Sequence, residues 1–107
     1  MAYDEELAGR VRAVLGRHAG LTEKKMFGGI TFLLHGNMCC GVAKEDLVVR
    51  VGAEQYEKAL AEPHARPMAG RSLKGLVYVG PGGYESDEVL GTSVERGIRF
   101  ARSLPAK

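Results

Sequence analysis

A chain of 107 residues is the size of one domain, and it can bury about two-thirds of its unfolded surface in a core that needs no staple. Apolar residues make up 45% and charged residues 26%, which argues against a disordered chain, and a net charge of +2 is too small to point to nucleic acid by itself. No apolar run approaches the ~18 residues of a membrane span, the acidic start Asp4-Glu5-Glu6 is unlike a secretory signal, and Cys39 and Cys40 read as reduced thiols of a cytoplasmic protein.

The first periodic stretch predicts a helix over 4–18. Leu7, Val11, Val14 and Leu15 fall on one stripe, Asp4 is placed to cap it, and Glu5 and Glu6 suit the positive end of its dipole. Arg17 and His18 suit the far end, and Gly20 is the expected stop. A single apolar strand is then expected over 25–34, opened by Lys24-Lys25-Met26-Phe27-Gly28-Gly29. Gly28 and Gly29 suggest a bulge or the close approach of another backbone.

His35-Gly36-Asn37 reads as a tight turn into a second strand over 38–42, where neighbouring Cys39 and Cys40 should point to opposite faces. Lys44-Glu45-Asp46 turns the chain into a third strand over 47–51, with Leu47, Val49 and Val51 inward. Connections this short require an antiparallel meander. Beyond Gly52 a short helix is predicted over 53–61, with Tyr56 and Leu60 inward and Pro63 as its terminator. Residues 63–72 read as a loop, 76–79 as a fourth strand, and Gly80-Pro81-Gly82-Gly83 as a turn. Ser86 should cap the last helix, with Leu90, Val94, Ile98 and Ala101 as its buried stripe; Gly91 and Gly97 each weaken it or admit another backbone.

The expected fold is therefore α+β, an antiparallel-rich sheet of about four strands with helices packed on it, in the order α-β-β-β-α-β-α, forming one domain over 1–107. Catalytic signatures are lacking. His18, His35 and His64 sit at a helix end, a turn and a loop, and nothing links them to a serine or cysteine as a triad. Cys39, Cys40 and His35 match no zinc spacing, the glycine-rich stretches match no phosphate loop, and the paired carboxylates serve helix starts. The expectation is a non-enzymatic chain without metal or cofactor. One constellation stands out. Lys24 and Lys25 enter the first strand, while Arg66, Arg71 and Lys74 lead into the fourth. If those strands are close, these charges converge beside Met26 and Phe27 as an anion- or partner-binding edge, against the plainer reading of a solvated rim. Strand edges must also be covered or paired, which admits a symmetric dimer.

Lys24-Lys25-Met26-Phe27-Gly28-Gly29, Gly36-Asn37-Met38, Gly41-Val42, Leu47 with Arg50-Val51-Gly52, Ala65-Arg66-Pro67-Met68, Gly70-Arg71, and Lys74-Gly75 with Val77-Tyr78-Val79 together resemble the N-terminal domain of the TfoX/Sxy family of bacterial competence regulators. The resemblance spans essentially the whole chain. It implies an α+β domain of the same element order and a non-enzymatic role as an accessory to transcription. In the named regulators a helical C-terminal domain follows, and they act with the cyclic-AMP receptor protein; a chain of 107 residues is expected to be without that second domain. The expected function is a regulatory or protein-interaction module with a protein partner, and the alternative is weak nucleic-acid binding through the basic edge.

Overall fold

The computed structural model describes residues 3–16, 18, 20–26, 29–62, 64–67 and 75–105. Helix α1, Glu5–Leu15, begins where Asp4 accepts the backbone N–H groups of Glu6 and Leu7 at 3.0 and 3.1 Å, satisfying two of the first-turn donors. It ends earlier than the expected stop. Gly16, with φ of 58°, forms the C-cap, and its N–H returns to the Arg12 carbonyl. Gly20 instead makes the turn into the sheet, where its carbonyl accepts the His35 N–H at 2.9 Å. Arg17, Gly28 and Pro63 lie outside the described residues.

Among the described residues the sheet has six antiparallel strands, not about four, in the spatial order β1-β2-β3-β4-β6-β5. The expected first strand is two strands: β1, Leu21–Met26, pairs with β2, Gly29–Leu34, from Leu21 against Leu34 to Met26 against Gly29. Strand β1 carries Thr22, Glu23, Lys24 and Lys25, so it shows no apolar alternation to read; among the described residues its backbone is held by a neighbour on one side only. The second unforeseen strand, β5, Ala65–Pro67, lies in the stretch expected to be a loop. Three residues ending in proline suit an edge, where a missing donor costs least.

Between the edges runs the meander that the turn residues require. His35 and Gly36 take φ of 51° and 84°, so the positive-φ pair is His35-Gly36 and Asn37 opens β3, Asn37–Ala43. Asn37 is almost completely buried, and its side-chain amide donates to the Pro105 carbonyl at 2.9 Å, which fastens the end of the chain to the sheet. Strand β4, Asp46–Arg50, follows a turn in which Lys44 has φ of 57°. Helix α2 is only Tyr56–Leu60, shorter than expected, because Gln55 takes the N-cap position without a side-chain cap bond. Strand β6, Leu76–Val79, then inserts between β4 and β5. A 3₁₀ turn, Pro81–Gly83, leads to α3, Asp87–Arg102, where Ser86 accepts the Val89 N–H at 3.1 Å.

The pairings place Ile30, Phe32, Cys40, Val42, Leu47, Val49, Val77 and Val79 on one face. These residues share a single buried core with Leu7, Val11 and Leu15 of α1 and with Leu90, Val94, Ile98 and Ala101 of α3. Ala59 of α2 joins the same cluster, so all three helices cover one face of the sheet. Helix α3 lies closest to β3, and a glycine makes that possible: a Cβ on Gly97 would collide with the Cys39 carbonyl. Gly29 meets the Val42 carbonyl in the same way, as expected of a glycine approached by another backbone.

Candidate functional site

The basic residues singled out from the sequence do not gather. Lys24 and Lys25 sit on β1 and Arg66 on β5, the two opposite edges of the sheet. Three strands, β2, β3 and β4, separate β1 from β6, so the expected fourth strand is not beside the first. One cross-strand row runs Lys24, Thr31, Gly41, Val48, Tyr78, Arg66, which puts Lys24 and Arg66 on a common face but about 24 Å apart at ordinary strand spacing. Lys25 belongs to the other face, opposite Ile30. Arg66 donates to the Asp46 carboxylate at 2.6 Å and stacks over the Tyr78 ring, so its charge has a partner. Phe27, Arg71 and Lys74, together with Met68 and Gly70, lie outside the described residues.

The cysteines also depart from expectation. The register slips between Phe32 and Leu33, leaving Cys39 as an extra residue opposite the β2 ladder. This bulge turns both neighbouring side chains into the core, with Sγ atoms 3.8 Å apart and no disulfide. The S–H···S contact lowers the Cys39 thiol from its ordinary value. The same contact, then burial, pushes Cys40 well up. Among the described residues no three His, Cys, Asp or Glu side chains gather as a metal-binding group, and no histidine side chain is hydrogen-bonded to a serine or cysteine.

A concave site that the sequence did not announce lies where α2, α3 and the β4–β6–β5 end of the sheet meet. Val49, Val51, Val77, Val79 and Ala59 form its floor. All five belong to the buried core and line the gap between the two helices. Val89 of α3 forms part of one wall and is 49% exposed. Across from it, His64 has φ of 66° and its ring lies against Gly82, where a side chain would clash at 2.5 Å. The His64 carbonyl accepts the Gly80 N–H at 3.0 Å, so the wall is tied to the 3₁₀ turn. Arg96 of α3 donates to Glu62 at 3.1 Å, bridging the helix to the segment after α2. The volume of this half-open cleft is about 410 Å³.

A broader and more open groove, about 1190 Å³, shares Val51, Glu88, Thr92 and Arg96 with this cleft and continues along α3 to Phe100 and Ser103. Its apolar strip comprises Val51, Gly52, Gly91 and Phe100, with Lys58, Glu95 and Arg99 around it. Gly52, at φ of 83°, lets the Phe100 ring pack against the backbone, and the Arg50 guanidinium lies 5.1 Å from the centre of that ring.

The TfoX N-terminal domain family matches residues 13–101, from within α1 to near the end of α3. The chain belongs to the TfoX N-terminal domain family. Searches of curated proteins and of solved structures return no match. The stretches that carry the resemblance fall on definite places in the sheet: Lys24-Lys25 on its first edge, Arg50-Val51-Gly52 at the junction with the groove, and Val77-Tyr78-Val79 on β6, which floors the cleft. The turn histidine His64 and the helix residues Val89, Thr92 and Arg96 line the site but lie outside those stretches. Their meeting depends on α3 folding back over the sheet, which no local pattern records.

Proposed function

We propose that this TfoX N-terminal domain is a non-enzymatic interaction module that works in the cytoplasm as a regulatory accessory, docking a protein partner in the groove between α2 and α3. The observation that carries this reading is the groove itself: an apolar strip of Val51, Gly91 and Phe100 rimmed by charges of both signs. An apolar centre within a polar rim is the composition of a protein–protein contact. Family membership supports a binding role of this general kind.

The test is affinity capture with the tagged chain from its own cell lysate, with and without nuclease, followed by mass spectrometry. A defined partner that survives nuclease and is lost with Gly91→Lys supports the reading, since Gly91 has open space beside it and the substitution blocks the groove without entering the core. The second reading, weak nucleic-acid binding, has less support, because Lys24 and Arg66 stand at opposite edges and Arg66 is paired with Asp46. It takes precedence if recovery collapses with nuclease and falls steeply between about 50 and 200 mM salt.

A further inference from the structure

Beneath α3 the fold builds a reactive pair that the groove does not use. On a regular strand neighbouring side chains point to opposite faces. The bulge in β3 re-aims one of them, so Cys39 and Cys40 both turn into the core with their sulfurs 3.8 Å apart. Both thiols are free and fully buried. Among the described residues no His, Asp or Glu side chain is hydrogen-bonded to either sulfur or joins the pair as a metal-binding group, so the polar neighbour of each thiol is the other thiol. The bond between the two cysteines is also where α3 rests: it carries the Cys39 carbonyl, which fills the space beside Gly97.

We propose that Cys39 and Cys40 form a peroxide-responsive site: hydrogen peroxide oxidises the pair to a reversible disulfide between neighbours, and closing that ring unseats α3 from β3. Cys39 gives up its proton and its sulfur attacks one peroxide oxygen. The O–O bond breaks, leaving a sulfenic acid on Cys39, and the departing hydroxide takes up the proton to become water. The Cys40 sulfur then attacks the Cys39 sulfur, the S–O bond breaks, and a second water leaves with the Cys40 proton. The two sulfurs lose two electrons and the peroxide gains them. Cys39 is the attacking thiol, because the S–H···S contact lowers it while the same contact and burial push Cys40 up. The product is strained: neighbouring Cα atoms stand about 3.8 Å apart, and a disulfide ordinarily spans roughly 4.4–6.8 Å. Strain makes the bond easy to reduce. Relieving it turns the Cys39–Cys40 peptide, whose carbonyl then no longer fits against Gly97. Burial selects the oxidant, since the sulfurs are reached only as α3 lifts, and a small peroxide enters where a bulky disulfide does not. This inference goes beyond the partner-docking reading and does not depend on it, because it concerns the chain alone.

The experiment treats the natural chain with hydrogen peroxide and follows it by intact mass, peptide mapping and NMR of the ¹⁵N-labelled protein. The expected product is a monomer lighter by two hydrogens, with the new bond mapped between Cys39 and Cys40 and the thiols restored by dithiothreitol. Its amide signals should move at Val94, Gly97 and Ile98 of α3 as well as at the cysteines. Oxidised glutathione at the same concentration should react far more slowly. Gly97→Ala, which crowds the Cys39 carbonyl and eases the lifting of α3, should speed oxidation by about ten-fold. Cys40→Ala should react more slowly and stop at a Cys39 sulfenic acid that dimedone traps. A natural chain that keeps both thiols until it unfolds globally, that links between two molecules instead, that oxidises with the α3 signals unmoved, or that reacts faster with oxidised glutathione than with peroxide would overturn the proposal.

Discussion

Gly97 and Gly91 sit six residues apart in α3 and do opposite things. Each costs the helix about 1 kcal/mol relative to alanine on propensity alone. At Gly97 that cost is offset by contact: the Cys39 carbonyl occupies the space a Cβ would need, and it is backbone, fixed in the sheet. At Gly91 nothing lies within 4 Å of the Cβ position. Gly97→Ala should therefore destabilise the fold by about 1–3 kcal/mol, the cost of overpacking a filled core. Gly91→Ala should raise stability by about 0.4–1 kcal/mol. Chemical denaturation of the two variants beside the natural chain checks both signs. Equal losses would show that α3 is not seated on β3 through Gly97.

Strand β1 is an edge held on one side by β2 and, through Glu23, by Arg12 of α1. A six-residue edge with unpaired backbone groups invites another strand. Lys24 and Lys25 stand in its middle, one on each face, which is where charge blocks such pairing most effectively. This gives the two lysines a structural role that does not require a ligand. Replacing both with valine is expected to leave the monomer fold intact and to produce concentration-dependent self-association. Analytical ultracentrifugation decides it: sedimentation of the double variant that matches the natural chain at every concentration would remove this role. At the opposite edge the same protection comes from shortness and from proline, since β5 is Ala65–Pro67.

On the scale of the molecule, one layer of three helices covers one face of a six-stranded sheet, and the outer edge of the sheet needs a tether to that layer. Arg12 supplies it with a two-pronged contact to Glu23, Nε at 2.7 Å and Nη2 at 3.0 Å, and stacks over Phe32 beneath. The Arg12 hydrogen bond holds the Glu23 carboxyl below the ordinary glutamate value, and the same bond raises Arg12. A depressed acid stabilises the fold above its unfolded pKa of about 4.3, and that contribution is lost as pH falls through the folded value. Both side chains are more than a third exposed, so solvent keeps the effect to at most about 1 kcal/mol. Glu23→Gln should lower the melting temperature at pH 7, and the difference from the natural chain should close as pH falls below about 4. A gap that persists at pH 2 would show that packing, not charge, accounts for it.

Much of this protein was determined by its sequence alone. Helices α1 and α3, the caps at Asp4 and Ser86, the apolar alternation of Ile30, Phe32 and Leu34 and the turn at His35-Gly36 are local signals, and each acts through the residues beside it. The family too is legible, and its match spans residues 13–101. What the tertiary structure decided is whatever depends on a partner from elsewhere in the chain. Strands β1 and β5 exist because β2 and β6 supply their hydrogen bonds, so their own side chains carry almost no strand pattern. The bulge at Cys39 sends two neighbouring thiols the same way, against the alternation that a regular strand imposes. Strand order, with β6 inserted beside β4, placed Lys24 and Arg66 at opposite edges. The cleft draws on residues from Val49 to Arg96 that meet only when α3 closes over the sheet. A periodic pattern records which face of an element is apolar; which other element covers that face, and where the cover leaves a gap, is set by the packing of the whole core.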